Sequence, residues 1–167
     1  AAKAKAAVSV TKELVTSRQV MSPIEGRGVI AEWNSRKGQL VVTTSTQQPH
    51  IVRSGLAECL GLAEDQVRVI SPDVGGGFGF KGKIYPEESV LPWAAMKLKR
   101  PVRWMANRNE SFNSDLQARD HTTHAELALD KDGSFVALRV RTVANLGAYL
   151  STFGAAIPSA IYSALLA

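Results

Sequence analysis

The chain has 167 residues, 45% hydrophobic and 21% charged, with a net charge of +5 and one cysteine, Cys59. That size and mixture suit one globular domain with a real core rather than a disordered segment. One cysteine excludes an internal disulfide framework, no apolar run is long enough to span a bilayer, and the Lys and Arg residues are scattered rather than gathered into the face or arm of a nucleic-acid binder.

The start, Ala1 to Ala7 with Lys3 and Lys5, reads as the tail of a helix-like pattern and lacks the apolar core of a signal peptide, so a cytoplasmic protein is expected. Val8 to Val20 alternates loosely and predicts a strand. Ser22 to Gly28 is turn chemistry. Val29 to Trp33 and Gln39 to Thr46 predict strands joined by the polar loop Asn34 to Gly38. From Pro49 the period becomes helical: Ile51, Val52, Leu56, Cys59 and Leu60 recur at that spacing, with Pro49 in the first turn and Gly61 as the stop. Cys59 is therefore expected in the core.

Gln66 to Ser71 predicts another strand, and Pro86-Glu87-Glu88 opens a second helix with its acids against the positive end of the dipole. That helix closes between Lys97 and Arg100, and Trp93 is expected on its buried stripe. Pro101 to Met105 predicts a strand, while Asn107 to Leu116 is ambiguous between loop and one or two helical turns. His121 to Leu129 and Ser134 to Ala144 pair around the hairpin signal Asp130-Lys131-Asp132-Gly133. The last stretch, Ala155 to Ala167, is uncharged, and both ends read as cut. The expectation is an α+β fold, mixed and antiparallel strands with two packing helices, in which residues 1–167 are part of a longer polypeptide.

Between the strand at Gln66 and the helix at Pro86 lie glycines at 75, 76, 77, 79 and 82. Glycine loses the most entropy on folding, so such density implies that bare backbone is needed, for tight turning or for aiming N–H groups at an anion. Gly77 to Gly82 satisfies the dinucleotide pattern G-x-G-x-x-G, but Lys83, Ile84 and Tyr85 intervene before the helix, and Arg100 to Arg103 stand where an acid is required. Gly77 to Lys83 satisfies the phosphate loop until its last position, where Ile84 replaces the magnesium-binding hydroxyl. A nucleotide-binding module stays open on these residues alone.

A third reading rests on resemblance. Val74-Gly75-Gly76-Gly77-Phe78-Gly79 and Lys81, after a Val-Arg-Val-Ile strand, resemble the molybdenum-binding large subunit of the xanthine dehydrogenase, aldehyde oxidase and carbon monoxide dehydrogenase family. Further stations occur in family order: Glu25 to Gly28, Ser45 to His50, Tyr85 to Glu88, Arg100 to Trp104, Arg119-Asp120-His121 and Asn145 to Tyr149. The flavour is that of the carbon monoxide dehydrogenase-like branch.

The resemblance implies a molybdenum held by a pterin dithiolene, as molybdopterin cytosine dinucleotide, with electrons leaving through [2Fe-2S] clusters to FAD. It implies partners too: an iron–sulfur small subunit and an FAD medium subunit, in a homodimer of heterotrimers. The oxidised substrate would be an aldehyde, an N-heterocycle or carbon monoxide. The family's Gly-Gly-Phe-Gly falls on Gly76, Gly77, Phe78 and Gly79, implying backbone N–H donation to the cofactor with no room for a side chain at Gly77 or Gly79. Its glutamine falls on Gln47, with Gln48 the neighbouring alternative, implying an amide donor to the metal's oxygen ligand. Apart from the resemblance, Gln47 reads as a polar helix-start residue and Phe78 as a core aromatic. The family's catalytic glutamate and substrate-side loop would lie beyond Ala167, so no catalytic residue and no direct metal ligand is assigned, and the chain alone is expected to be inactive.

The other candidates read more plainly. His121 and His124 point to opposite faces of a strand and make no metal pair, and His50 is a structural hydrogen bonder. Glu87 and Glu88 are helix-dipole acids, while Arg27 and Arg53 face solvent or a cofactor phosphate.

Overall fold

In chain order the elements are β1 (Val8–Gln19), β2 (Gly28–Asn34), β3 (Gln39–Thr44), α1 (Pro49–Leu60), β4 (Val67–Ile70), α2 (Pro86–Leu98), β5 (Val102–Met105), α3 (Arg108–Ser114), β6 (Ala118–Leu129) and β7 (Phe135–Ala144). The structure, a computed structural model, describes residues 6–161 and 164. The chain divides into two units: Val20–Leu116, and the flanking segments up to Gln19 and from Gln117.

The central unit is built on a four-stranded sheet of order β4-β3-β2-β5. β2 and β3 form an antiparallel hairpin, β5 adds antiparallel to β2, and β4 adds parallel to β3. A parallel neighbour needs a crossover, and α1 supplies it. Alternation decides the faces: Val29 and Ala31 of β2 and Leu40, Val42 and Thr44 of β3 are buried, while Ile30 and Glu32 point out. Val52, Leu56 and Ala57 of α1 and Ala95 of α2 complete the core.

α1 starts with Pro49 in its first turn and ends on Gly61, whose φ of 66° lets Leu62 N–H donate back to the Ala57 carbonyl at 2.9 Å. In α2, Pro92 is buried mid-helix and removes the N–H that would reach the Glu88 carbonyl. The segment after Ala106 resolves into α3, two turns fixed by a reciprocal cap. Asn107 Oδ1 accepts from Glu110 N–H at 2.9 Å, and Glu110 Oε2 accepts from Asn107 N–H at 2.8 Å.

The second unit is a three-stranded antiparallel sheet of order β1-β6-β7. Its hairpin turns as expected: Asp130 Oδ1 accepts from the N–H groups of Asp132 and Ser134, and Gly133 takes φ 83°. Arg119 and Asp120 both hold positive φ, 70° and 64°, at the start of β6. There Asp120 Oδ2 accepts from Arg18 and from Asn145 Nδ2, at 3.0 and 2.8 Å. Two family-like stations far apart in sequence thus meet.

The fold is α+β, with its strands divided between two sheets and a third short helix beside the two expected. Two core assignments need correction. Cys59 is exposed, because the buried arc of α1 runs through Val52, Leu56 and Ala57 and Cys59 lies about a quarter-turn from its centre. Trp93 is 52% exposed, since α2 turns Glu88, Pro92 and Ala95 inward and Trp93 away. Residues 157–161 form a π-helical turn, while 1–5, 162, 163 and 165–167, within the expected helix-like start and apolar end, lie outside the described residues. Among the described residues no helix is long and apolar enough to cross a membrane.

Candidate functional site

The glycine loop follows the end of β4 and lies beside the segment that leaves β3. Its geometry is set residue by residue. Gly76 and Gly79 have φ of 99° and 87°, which only glycine adopts without strain, and Phe78 between them takes 49°. Gly77 is glycine for a different reason: a Cβ there would stand 2.3 Å from Gln47 Cδ. At Gly79 a Cβ would meet nothing within 4 Å, so its requirement is conformational and not steric.

The amides divide into two groups. Gly75 N–H donates to Glu25 Oε2 at 2.7 Å, Gly76 N–H to the Val74 carbonyl at 2.9 Å, and Gly79 N–H to Gln47 Oε1 at 3.1 Å. Among the described residues, the N–H groups of Gly77 and Phe78 donate to no acceptor. The Phe78 ring is 73% exposed, which corrects its reading as a core aromatic: the positive φ turns it outward.

Gln47 sits just before α1, with its backbone N–H on the Lys81 carbonyl at 3.0 Å. Because Gly79 donates to it, the oxygen end of its amide is committed and the NH₂ end remains to donate. Gln47 is exposed, whereas the neighbouring Gln48 occupies the N-cap position of α1 without a side-chain capping bond.

A buried polar layer supports this loop. Lys81 is 1% exposed, and its ammonium donates to Glu25 Oε2 at 2.7 Å and to the Glu25 carbonyl at 3.1 Å. Ser45 Oγ donates to the same Glu25 oxygen at 2.7 Å. Burial opposes the charge on Glu25, but donation from Lys81, Ser45 and Gly75 outweighs it and holds the pKa below the usual carboxylate range.

Arg27, expected at solvent or a phosphate, is instead buried at 4% exposure. It donates to Asp115 at 2.6 Å, Glu87 at 2.7 Å and Ser114 at 2.8 Å, and stacks 3.9 Å from the Tyr85 ring centroid. Burial works against its charge, and the two carboxylates more than restore it. Arg53 lies at the surface, paired with Glu64 at 2.6 Å. His50 is exposed on α1, and His124 lies 3.3 Å from Glu13 on β1.

Glu87 and Glu88 do more than complement a dipole. Glu88 is buried; its Oε2 accepts from Tyr85 N–H at 3.0 Å, and Thr44 Oγ1 lies 2.8 Å from its Oε1. Burial raises its pKa, partly offset by those bonds. Burial likewise pushes the Tyr85 phenol up to about 12, where it donates to the Phe80 carbonyl at 2.9 Å.

These contacts fit a pterin cofactor better than a nucleotide phosphate. The first loop amide already serves a carboxylate, Lys81 is spent on Glu25, and α2 opens only at Pro86, which has no N–H, while the N–H of its N-cap Tyr85 is taken by Glu88. What the loop leaves available is two unspent amides and a carboxamide donor: a platform for a neutral or weakly anionic oxygen-rich group.

A platform of that kind is suited to cradling an organic cofactor on bare main chain. A sequence model of the molybdopterin cofactor-binding domain matches residues 1–167, and the chain belongs to that family, in the molybdenum-binding large subunits of the xanthine dehydrogenase, aldehyde oxidase and carbon monoxide dehydrogenase group. It is 38% identical over 146 residues to the carbon monoxide dehydrogenase large chain of Hydrogenophaga pseudoflava, covering 87% of this chain and 18% of that one. It is 36% identical over 132 residues to the nicotine 6-hydroxylase large subunit of Paenarthrobacter nicotinovorans, covering 79% and 16%. Among solved structures, quinoline 2-oxidoreductase from Pseudomonas putida 86 superposes with a TM-score of 0.84 at 36% identity, covering 90% of this chain and 19% of that one. The chain thus spans under a fifth of the length of these relatives.

Proposed function

We propose that this chain is a segment of a larger molybdenum hydroxylase subunit and that Gln47, Gly76, Gly77, Phe78 and Gly79 hold its cofactor, molybdopterin cytosine dinucleotide. One observation carries the reading: among the described residues the Gly77 and Phe78 amides donate to no acceptor, while the Gln47 carboxamide accepts from Gly79 and keeps its NH₂ to donate. When bound, the cofactor supplies the redox chemistry by which an aldehyde, an N-heterocycle or carbon monoxide is oxidised. The chain's own work is positional. Gly77 and Phe78 offer amide hydrogens, Gly76 and Gly79 give the backbone its left-handed bends, and Gln47 adds a side-chain donor beside them.

The names of the relatives support this class of reaction: dehydrogenase, hydroxylase and oxidoreductase. They support partners as well, since two are named as the large chain or large subunit of their enzymes. The full enzyme is proposed to draw electrons away through an iron–sulfur subunit and an FAD subunit, as a dimer of heterotrimers. Its catalytic glutamate is proposed to come from outside residues 1–167, which leaves the isolated chain without turnover.

Metal and cofactor analysis of the full-length protein tests the reading. Molybdenum together with a pterin–cytosine nucleotide is the expected result. Retention of ATP or NAD without molybdenum would instead make the loop a nucleotide site.

A further inference from the structure

We propose that Glu25 and Lys81 are positioning residues that set the spacing between the Gln47 carboxamide and the free amides of Gly77 and Phe78. The inference rests on the function proposed above.

One carboxylate oxygen, Glu25 Oε2, gathers three donors from three segments: Lys81 Nζ, Ser45 Oγ and Gly75 N–H, each at 2.7 Å. Gly75 begins the glycine run and Lys81 follows it, so a single acceptor ties both ends of the loop. Lys81 then returns through its backbone: its carbonyl accepts from Gln47 N–H at 3.0 Å and from Thr46 Oγ1 at 3.1 Å. Ser45, on the same oxygen, is two residues from Gln47. The path from Glu25 to Gly75, round the loop to Lys81 and across to Gln47 is therefore closed by hydrogen bonds at every junction.

The chemistry of the pair argues for this role. The Lys81 side chain is fully buried and Glu25 is about one-third exposed, at 0% and 32%. A buried ammonium is expensive, and an apolar side chain would fill the same space at less cost. What the ion pair adds is direction. A carboxylate oxygen fixes three donors at once, and it holds the loop in the shape that leaves the Gly77 and Phe78 amides unspent.

The test uses the full large subunit in four forms: wild type, the charge-free pair Glu25→Gln/Lys81→Met, Ser45→Ala, and the core variant Val67→Ala as a matched loss of melting temperature. The readouts are the half-time of pterin release in mild urea and the paramagnetic resonance line of the partly reduced molybdenum. The charge-free pair should release pterin about tenfold faster or more, the scale of loss that follows changes around a metal's ligands, and should broaden the resonance. Ser45→Ala should fall between it and wild type, and Val67→Ala should match wild type in both readouts. The proposal is overturned if the variants of Glu25, Lys81 and Ser45 behave as wild type, or if Val67→Ala releases pterin as fast as they do. Should the double variant fail to fold, Ser45→Ala against Val67→Ala decides by the same criteria. A wild-type subunit devoid of molybdopterin would sink the functional reading itself, a result distinct from any of these.

Discussion

Neighbouring glycines in the loop are required for unlike reasons, and substitution separates them. Gly77→Ala drives a methyl into the Gln47 carboxamide, so the donor must move; overpacking of this kind costs about 1–3 kcal/mol. Gly79→Ala meets open space and loses only its favourable φ, about 1–2 kcal/mol. Melting temperatures of the two should be similar, while molybdenum content should drop far more for Gly77→Ala. Gln47→Glu isolates the donor. A carboxylate still accepts from Gly79 N–H, so the loop keeps its shape, but nothing remains to donate outward. Stability should hold within about 0.5 kcal/mol, and cofactor affinity should fall about 10- to 100-fold, measured by retention on dialysis. Equal retention by Gln47→Glu and wild type would remove Gln47 from the site. Sequence alone pointed to these positions because glycine density and residue order are local signals. It could not show which amides stay free, because that depends on Glu25, fifty residues away from Gly75.

At the scale of elements, two buried polar clusters hold the central unit together. Arg27 joins the turn before β2 to α2 and to the end of α3. Arg27→Lys cannot reproduce the fork that meets Asp115 and Glu87 or the stacking on Tyr85, and it should cost about 3 kcal/mol in denaturant unfolding. The carboxylates respond to pH with opposite signs. Glu25 has a depressed pKa, so its contribution is present above the ordinary carboxylate value of 4.5 and is lost as pH falls through its folded value. Glu88 has a raised pKa, so its folded state is favoured in acid and loses that advantage as pH climbs from 4.5 toward its folded value. Glu88→Gln keeps an oxygen for Tyr85 N–H and turns its NH₂ to Thr44 Oγ1, whose own hydrogen then goes to the Gly28 carbonyl 3.1 Å away, so it should leave stability unchanged or higher at neutral pH. Thermal melts from about pH 3 to 7 check both signs, because Glu25→Gln should flatten the acid side and Glu88→Gln the side above it. Helix starts at Pro49 and Pro86, the stop at Gly61 and the hairpin at Gly133 were all readable, since each is a local backbone preference. Arg27, Cys59 and Trp93 were misread, because burial depends on the packed neighbour and not on the helix's own stripe.

At the scale of the whole molecule, the chain brings family-like stations together in two places. Glu25, Ser45, Gln47, the glycine loop and Lys81 meet in the central unit, and Asp120 and Asn145 meet in the other, with Arg18, which belongs to no station, donating to both. Their order along the chain was visible; their convergence was not, since it needs the parallel addition of β4 to β3 and the long pairing of β1 with β6. Division into two sheets also escaped the sequence, because alternation marks strands without saying which sheet they join. A structure of the cofactor-loaded full subunit decides whether bare main chain at Gly77 and Phe78 meets a molybdopterin. A cofactor atom is expected within about 2.7–3.2 Å of the Gly77 or Phe78 nitrogen and of Gln47 Nε2. A cofactor seated elsewhere, with those amides turned to solvent, would contradict that expectation.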